Sequence, residues 1–290
     1  MRSSLLLLSL ALLAPLADAQ DRGRGRRGGE PPVIREDAPA QDPAQRPGDV
    51  TEQLLGGGAQ GNPFAMPPGA DDPKQPRPLP QDMPLFHQDR ALLRVDGVEI
   101  RAAELDELVR YYRSFRPGSN DLLLRDAVEA LVPAKVCEAA WGPELPGMKA
   151  RIDEAFSAVQ GGADFARVVQ KHSDDTEAPT PDGRYTFGRE VAVQPFDMLS
   201  HTGRTGELRG PFLTKYGYHF LEVVEYERGE QPAEDRTTVR HVLVMYPAMA
   251  EEGVDARELI RQRVAACRIE VLEPALANVV PPALRANVVR

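Results

Sequence analysis

Between Met148 and Val244 no helical or strand pattern runs long, and almost every one is closed by a glycine, a proline or a polar pair. That constraint matters most, because short elements cannot bury themselves and must share one small sheet. Ile152, Ala155, Phe156 and Val159 recur at helical spacing up to Gly161-Gly162. Asp164 then caps a second helix with Phe165, Val168 and Val169 on its apolar face. Ser173-Asp174-Asp175 follows, with a Pro/Gly loop to Gly183, a strand candidate over 184–189 and a short helix opened by Pro195-Phe196. Gly206 to Phe212 reads as a turn and bend before the strand Phe220 to Tyr226. The implied class is α+β: a small antiparallel sheet with helices around it.

The N-terminal third has a different character. Arg2, the apolar run Leu5–Leu16 and the small-residue pattern Ala17-Asp18-Ala19 read as a secretory signal over 1–19, too short an apolar run to span a bilayer. Residues 20–88 read as a disordered linker, since 21–88 hold 13 of the 27 prolines and 10 of the 24 glycines and little periodic apolar pattern. Arg22, Arg24, Arg26 and Arg27 form a small basic cluster, which reads as a solvated linker start. The chain as a whole is acidic, 35 basic against 44 acidic residues for a net charge of −9. That argues against a nucleic-acid partner, which calls for a basic face. The mature chain is expected to be exported, with no integral membrane segment.

Order is expected from about residue 89, in a helical module over 89–147. Two short strands flank Asp96-Gly97, a hairpin signal. Leu105, Leu108, Val109, Tyr112 and Phe115 mark a helix stopped by Pro117-Gly118, and a second helix covers Asp121 to about Trp141. Helix–helix packing explains most of these apolar positions. At the other end, 247–290 reads as a C-terminal helix, with Leu259, Ile260 and Val264 on its apolar side, and a tail. Cys137 and Cys267 are too few for a disulfide scaffold, and whether they pair is left open.

Over about residues 149 to 226 the chain resembles the parvulin family of peptidyl-prolyl cis/trans isomerases. The resemblance rests on GGADFARVVQKHSDD (161–175), GRYTFGR (183–189), PF (195–196), GELRGPFLT (206–214) and GYHFLEV (217–223), five pieces in the family's order. The module before them is similar to the N-terminal part of SurA- and PrsA-type extracytoplasmic folding factors. The resemblance implies a prolyl isomerase, without cofactor or metal, acting on unfolded or proline-containing exported polypeptides in a periplasm or outside the cell.

One family element is missing where it belongs. Parvulins begin with a histidine-bearing strand, and residues 133–148 contain no histidine. A matching segment, Val239-Arg240-His241-Val242-Leu243-Val244, follows the last strand instead. This suggests a circular permutation, with a parvulin-like domain over 148–246 whose first strand is 239–244. A truncated second copy is the rival, because Glu251 to Cys267 echoes the next helix; permutation is favoured since one complete sheet buries more than two incomplete ones.

The resemblance assigns His219, His241 and Asp175 as catalytic. It assigns Phe196 and Phe187 as walls of a proline pocket and Thr214 as support for the histidine pair. Period-two alternation puts His219, Leu221 and Val223 on one face, with His241 across from His219. A lone histidine in an apolar strand is otherwise usually a satisfied core residue. Two departures bear on activity. Arg184 falls near a leucine that normally lines the pocket, and Ala192 stands where the pocket methionine would be. Weakened turnover, or a non-catalytic peptide-holding module on the same scaffold, is the alternative these positions raise.

Overall fold

A computed structural model of the chain describes residues 72–289 apart from 82, 83 and 177. The signal segment and most of the linker reading lie outside the described residues. Two four-stranded sheets, each with its own helices, make up the described part.

The first sheet starts at the hairpin of β1 (Ala91–Val95) and β2 (Val98–Arg101). Asp96 and Gly97 turn it with φ of 48° and 91°, the left-handed pair that tight hairpins favour. Two helices follow, α1 (Ala102–Arg113) and α2 (Asn120–Ala140). Ser119 caps α2 by accepting from Leu122 N, and the helix runs on through Pro133.

The C-terminal tail corrects the domain boundaries. Helix α7 (Ala256–Ala266) is followed by β7 (Ile269–Val271), which pairs antiparallel with β1, and β8 (Val288–Val289) adds parallel to β7. The first sheet therefore runs β2-β1-β7-β8. Its core joins Leu93, Leu105 and Val128 to Ile269, Val280 and Leu284. The N-terminal module is thus α+β and is completed by residues 269–289; it is neither purely helical nor separate from the tail. Its hairpin alone would be two strands wide, too narrow to be stable, so the tail's strands supply what the local sequence lacks.

The linker reading also gives way at its C-terminal end. Arg77 pairs with the buried Asp235 at 3.2 Å, Lys74 O accepts from Thr205 Oγ1 at 3.0 Å, and Leu79, Leu85 and Phe86 pack on the first core. Proline-rich composition hid these three apolar anchors.

The second sheet has the order β3-β6-β5-β4, antiparallel throughout, from β3 (Arg184–Gly188), β4 (Leu208–Thr214), β5 (Gly217–Glu227) and β6 (Arg236–Met245). Helices α3 (Leu145–Gln160) and α4 (Phe165–His172) cover one face. There Phe156 and Phe165 meet Phe220 edge-on at 5.3 and 5.8 Å. On the other face Leu221, Val223 and Val239 pack with Phe187 and Phe196, the latter opening α5 (Phe196–Thr202). A short helix, α6 (Pro247–Ala250), leaves the end of β6.

β6 is the segment singled out as a displaced first strand. It pairs with β5 in register, Tyr218 opposite Val244 and Val223 opposite Val239. Cys137 and Cys267 are both free and buried.

Candidate active site

The face of the second sheet that turns away from α3 and α4 carries two imidazoles. His219 on β5 and His241 on β6 are both buried. The register sets Leu243 opposite His219 and His241 opposite Leu221, so the histidines are diagonal neighbours, not directly opposed. Their rings stack 5.5 Å apart at 12°, with Nδ1 facing Nδ1 at 3.3 Å.

Each end of the pair is held. Thr214 Oγ1 lies 2.9 Å from His219 Nε2 and also accepts from Tyr216 N at 3.1 Å. His241 Nε2 lies 3.0 Å from Asp175 Oδ2, which also accepts from Tyr185 Oη at 2.8 Å.

These contacts fix the proton positions if Asp175 is ionised. His241 then donates from Nε2, which leaves its Nδ1 as an acceptor; His219 must donate from Nδ1, and its Nε2 must accept from Thr214. Burial, then the neighbouring His241, pushes the His219 imidazole well below its usual pKa, consistent with a neutral ring.

Asp175 is placed by the turn before it. Ser173 Oγ accepts from Leu243 N at 3.2 Å, Asp174 N donates to Leu243 O at 2.7 Å, and Asp174 Oδ2 accepts from Met245 N at 2.9 Å. The Ser-Asp-Asp sequence thereby extends the sheet edge beyond β3. Gly183 makes room for the join. Its carbonyl accepts from His241 N at 3.1 Å, its φ is +71°, and a Cβ there would sit 2.7 Å from His241 O.

Above the histidines lies a cleft of about 680 Å³. Phe187, Phe196 and Ala192 wall it, and His219, His241 and Asp175 line it. Phe196 meets His219 and His241 edge-on at 5.4 and 5.2 Å, and Phe212 stacks on His219 at 5.8 Å.

Two of the residues named from the sequence do not line the cleft. Arg184 points away, half exposed, and pairs with Asp182 at 2.8 Å; one residue of strand alternation separates it from Tyr185, which does face the cleft. Thr214 is fully buried and bonded to His219, so it serves the pair without lining the cleft. The tyrosine hydroxyl on Asp175 and the cleft walls Leu243 and Met245 were missed, although both follow from the same period of two as Phe187 and His241. Met249 and Val254 also reach the cleft, and no sequence pattern marks them.

Residues 143–225 match the family description "Rotamase: PPIC-type PPIASE domain". The chain carries a PPIC-type rotamase domain. That domain's match ends before β6, so His241 comes from outside the matched span. The chain is similar to Chaperone SurA of Polaromonas sp. (strain JS666), 25% identical over 192 residues, covering 64% of this chain and 40% of that protein. It is similar to Foldase protein PrsA of Geobacillus kaustophilus, 24% identical over 148 residues, 48% of this chain and 45% of that protein. Chaperone SurA of Hahella chejuensis is 30% identical over 89 residues, 30% of this chain and 20% of that protein. The chain thus spans less than half the length of these three relatives. No solved structure matches it.

Among the described residues no cluster of three or more His, Cys, Asp or Glu is placed to hold a metal ion, and no helix is long and apolar enough to cross a membrane.

Proposed function

We propose that this protein is a peptidyl-prolyl cis/trans isomerase acting on exported polypeptides outside the cytoplasm. The observation that carries the reading is the single hydrogen-bonded file Thr214–His219–His241–Asp175–Tyr185 beneath an apolar cleft walled by Phe187 and Phe196. The rotamase-domain match and the similarity to proteins named chaperone and foldase support it.

Rotation about an Xaa–Pro bond breaks no covalent bond; the barrier is the loss of amide resonance, about 18–20 kcal/mol. A catalyst therefore has to favour the twisted amide over the planar one. The phenylalanines supply an apolar seat for the pyrrolidine ring. Pulling that ring out of water removes hydration that favours the more polar planar form. The histidine pair offers a fixed polar floor whose protons are ordered by Thr214 and Asp175, so little reorganises as the carbonyl turns. His219, His241 and Asp175 act in this reading as the electrostatic frame, with no nucleophile and no net proton transfer. We further propose that β6 occupies the place of the family's first strand, making the domain a circular permutation. The pairing of 239–244 with 218–223 supports this.

A protease-coupled assay on short Xaa–Pro peptides tests the function. Turnover that falls at least tenfold in His219→Ala and in Asp175→Asn is expected. Absence of turnover in the unaltered chain, together with suppression of client aggregation, would replace the enzyme with a peptide-holding module.

A further inference from the structure

One wall of the cleft is the strap 189–197, which carries Ala192 and Val193 and opens α5 with Phe196. The strap touches the other module at three points. Tyr111 Oη donates to Asp197 Oδ2 at 2.6 Å. Arg116 pairs with Glu190 at 3.2 Å. The Arg189 guanidinium lies 5.3 Å from the ring of Tyr111 and 5.0 Å from that of Phe115. All three partners, Tyr111, Phe115 and Arg116, come from α1 or the turn just after it.

Within the strap, Asp197 is fully buried and gathers the loop around its carboxylate, accepting from Glu190 N at 3.1 Å. Glu190 itself sits at φ +62°, a conformation a non-glycine residue holds only when its surroundings impose it. The opposite side of α5 belongs to the first module, since Met198 is part of that core.

We infer that Tyr111 is a positioning residue for the cleft: through Asp197 it fixes the strap, so that the N-terminal module forms part of the proline-binding wall and is not merely tethered to it. A buried carboxylate is costly wherever an apolar group would fit, and its retention here is accounted for by the register it imposes on Ala192, Val193 and Phe196. Loosening the Tyr111 contact lets Phe196 withdraw from the histidine rings while leaving Thr214, His219, His241 and Asp175 in place. The inference rests on the isomerase reading only in supposing that a proline-containing peptide occupies the cleft.

The test is made in the full chain with Tyr111→Phe, Asp197→Asn and the pair combined, and with Ser119→Ala as a control that removes the α2 cap without touching the strap. The dissociation constant of a short Xaa–Pro peptide is measured by NMR titration alongside thermal melting. Tyr111→Phe is expected to weaken the peptide at least tenfold, the worth of one hydrogen bond to a charged acceptor. It should do so mainly through KM, with kcat changed less than twofold. The effect should shrink in the Asp197→Asn background, as coupled residues require. Ser119→Ala should lower the melting temperature and leave peptide affinity unchanged. Equal affinity in Tyr111→Phe and the unaltered chain, or effects that simply add, overturns the inference. An unaltered chain that binds no proline peptide overturns the reading on which it rests.

Discussion

Lowering the pH should weaken this fold through one histidine in particular. His201 on α5 is fully buried, with Nδ1 3.1 Å from Asp197 O. Burial, then the Arg189 charge, pushes it down to about 4. An unfolded chain binds that proton near pH 6.5 and the folded chain does not. Stability is therefore untouched above pH 6.5 and falls as pH drops toward 4. The full loss is about 3 kcal/mol, of which about 2 kcal/mol is reached at pH 5. Asp197 works the other way. Burial, partly offset by the Tyr111 hydroxyl, pushes it up to about 6, so protonation relieves its buried charge as pH falls through that value. That returns about 1 kcal/mol by pH 5. His219 and His172, both also held below their usual range mainly by burial, add to the loss. Urea unfolding at pH 7.5 and pH 5, in the unaltered chain and in His201→Gln, isolates the histidine, because the other groups are common to both. The unaltered chain should lose about 2 kcal/mol more than the variant, equivalent to about 4–8 °C in Tm. Equal losses would mean that His201 already carries its proton in the fold, and the burial argument would be refuted.

Two other perturbations follow from the same packing. Asp235 is fully buried and accepts from Arg189 Nη2 at 3.1 Å and Tyr226 Oη at 2.8 Å, so Asp235→Ala strands a guanidinium that is itself almost completely buried. It should cost about 3–5 kcal/mol by chemical denaturation, and a loss under 1 kcal/mol would show that the bond from Arg189 Nε to Pro232 O, 2.8 Å long, and the remaining contacts suffice. Gly217→Ala places a Cβ 2.1 Å from Val244 O at a φ of +142°, forcing β5 and β6 apart at the strand end nearest His219. A loss of about 3 kcal/mol or more is expected in the same measurement, and near-neutral behaviour would mean the register there is looser than the pairing indicates.

The site was more legible than the frame that holds it. His219, Phe187 and Phe196 sit inside continuous local patterns, a glycine-flanked strand and a short helix opened by proline, and period-two alternation alone puts the correct side chains on one face. Arg184 shows the limit of that argument. It stands one residue from Tyr185, and nearness in sequence to a pocket position does not place a strand residue on the same face. The tail was misread for a different reason. Ile269–Val271 and Val288–Val289 are too short to declare themselves as strands, and they become strands only because β1 offers an unpaired edge. Tyr111 likewise looks like any apolar position on a helix face; its hydroxyl acquires meaning only from Asp197, 86 residues away.

The order of the elements gives the second sheet an arrangement that local sequence does not require. β6 is the central partner of both β3 and β5, yet it comes last in the chain of the four. Until it is added, β3 has no strand partner, β5 has only β4, and His219 has no imidazole to face. Asp175 and the turn that carries it are also anchored on β6, through Leu243 and Met245. Closing the sheet and assembling the site are therefore one event, because the strand that completes the core between α3, α4 and α5 is the strand that brings His241. A lesion that only loosens β6 should accordingly remove peptide binding before it unfolds the first module, whose own sheet is closed separately by β7 and β8.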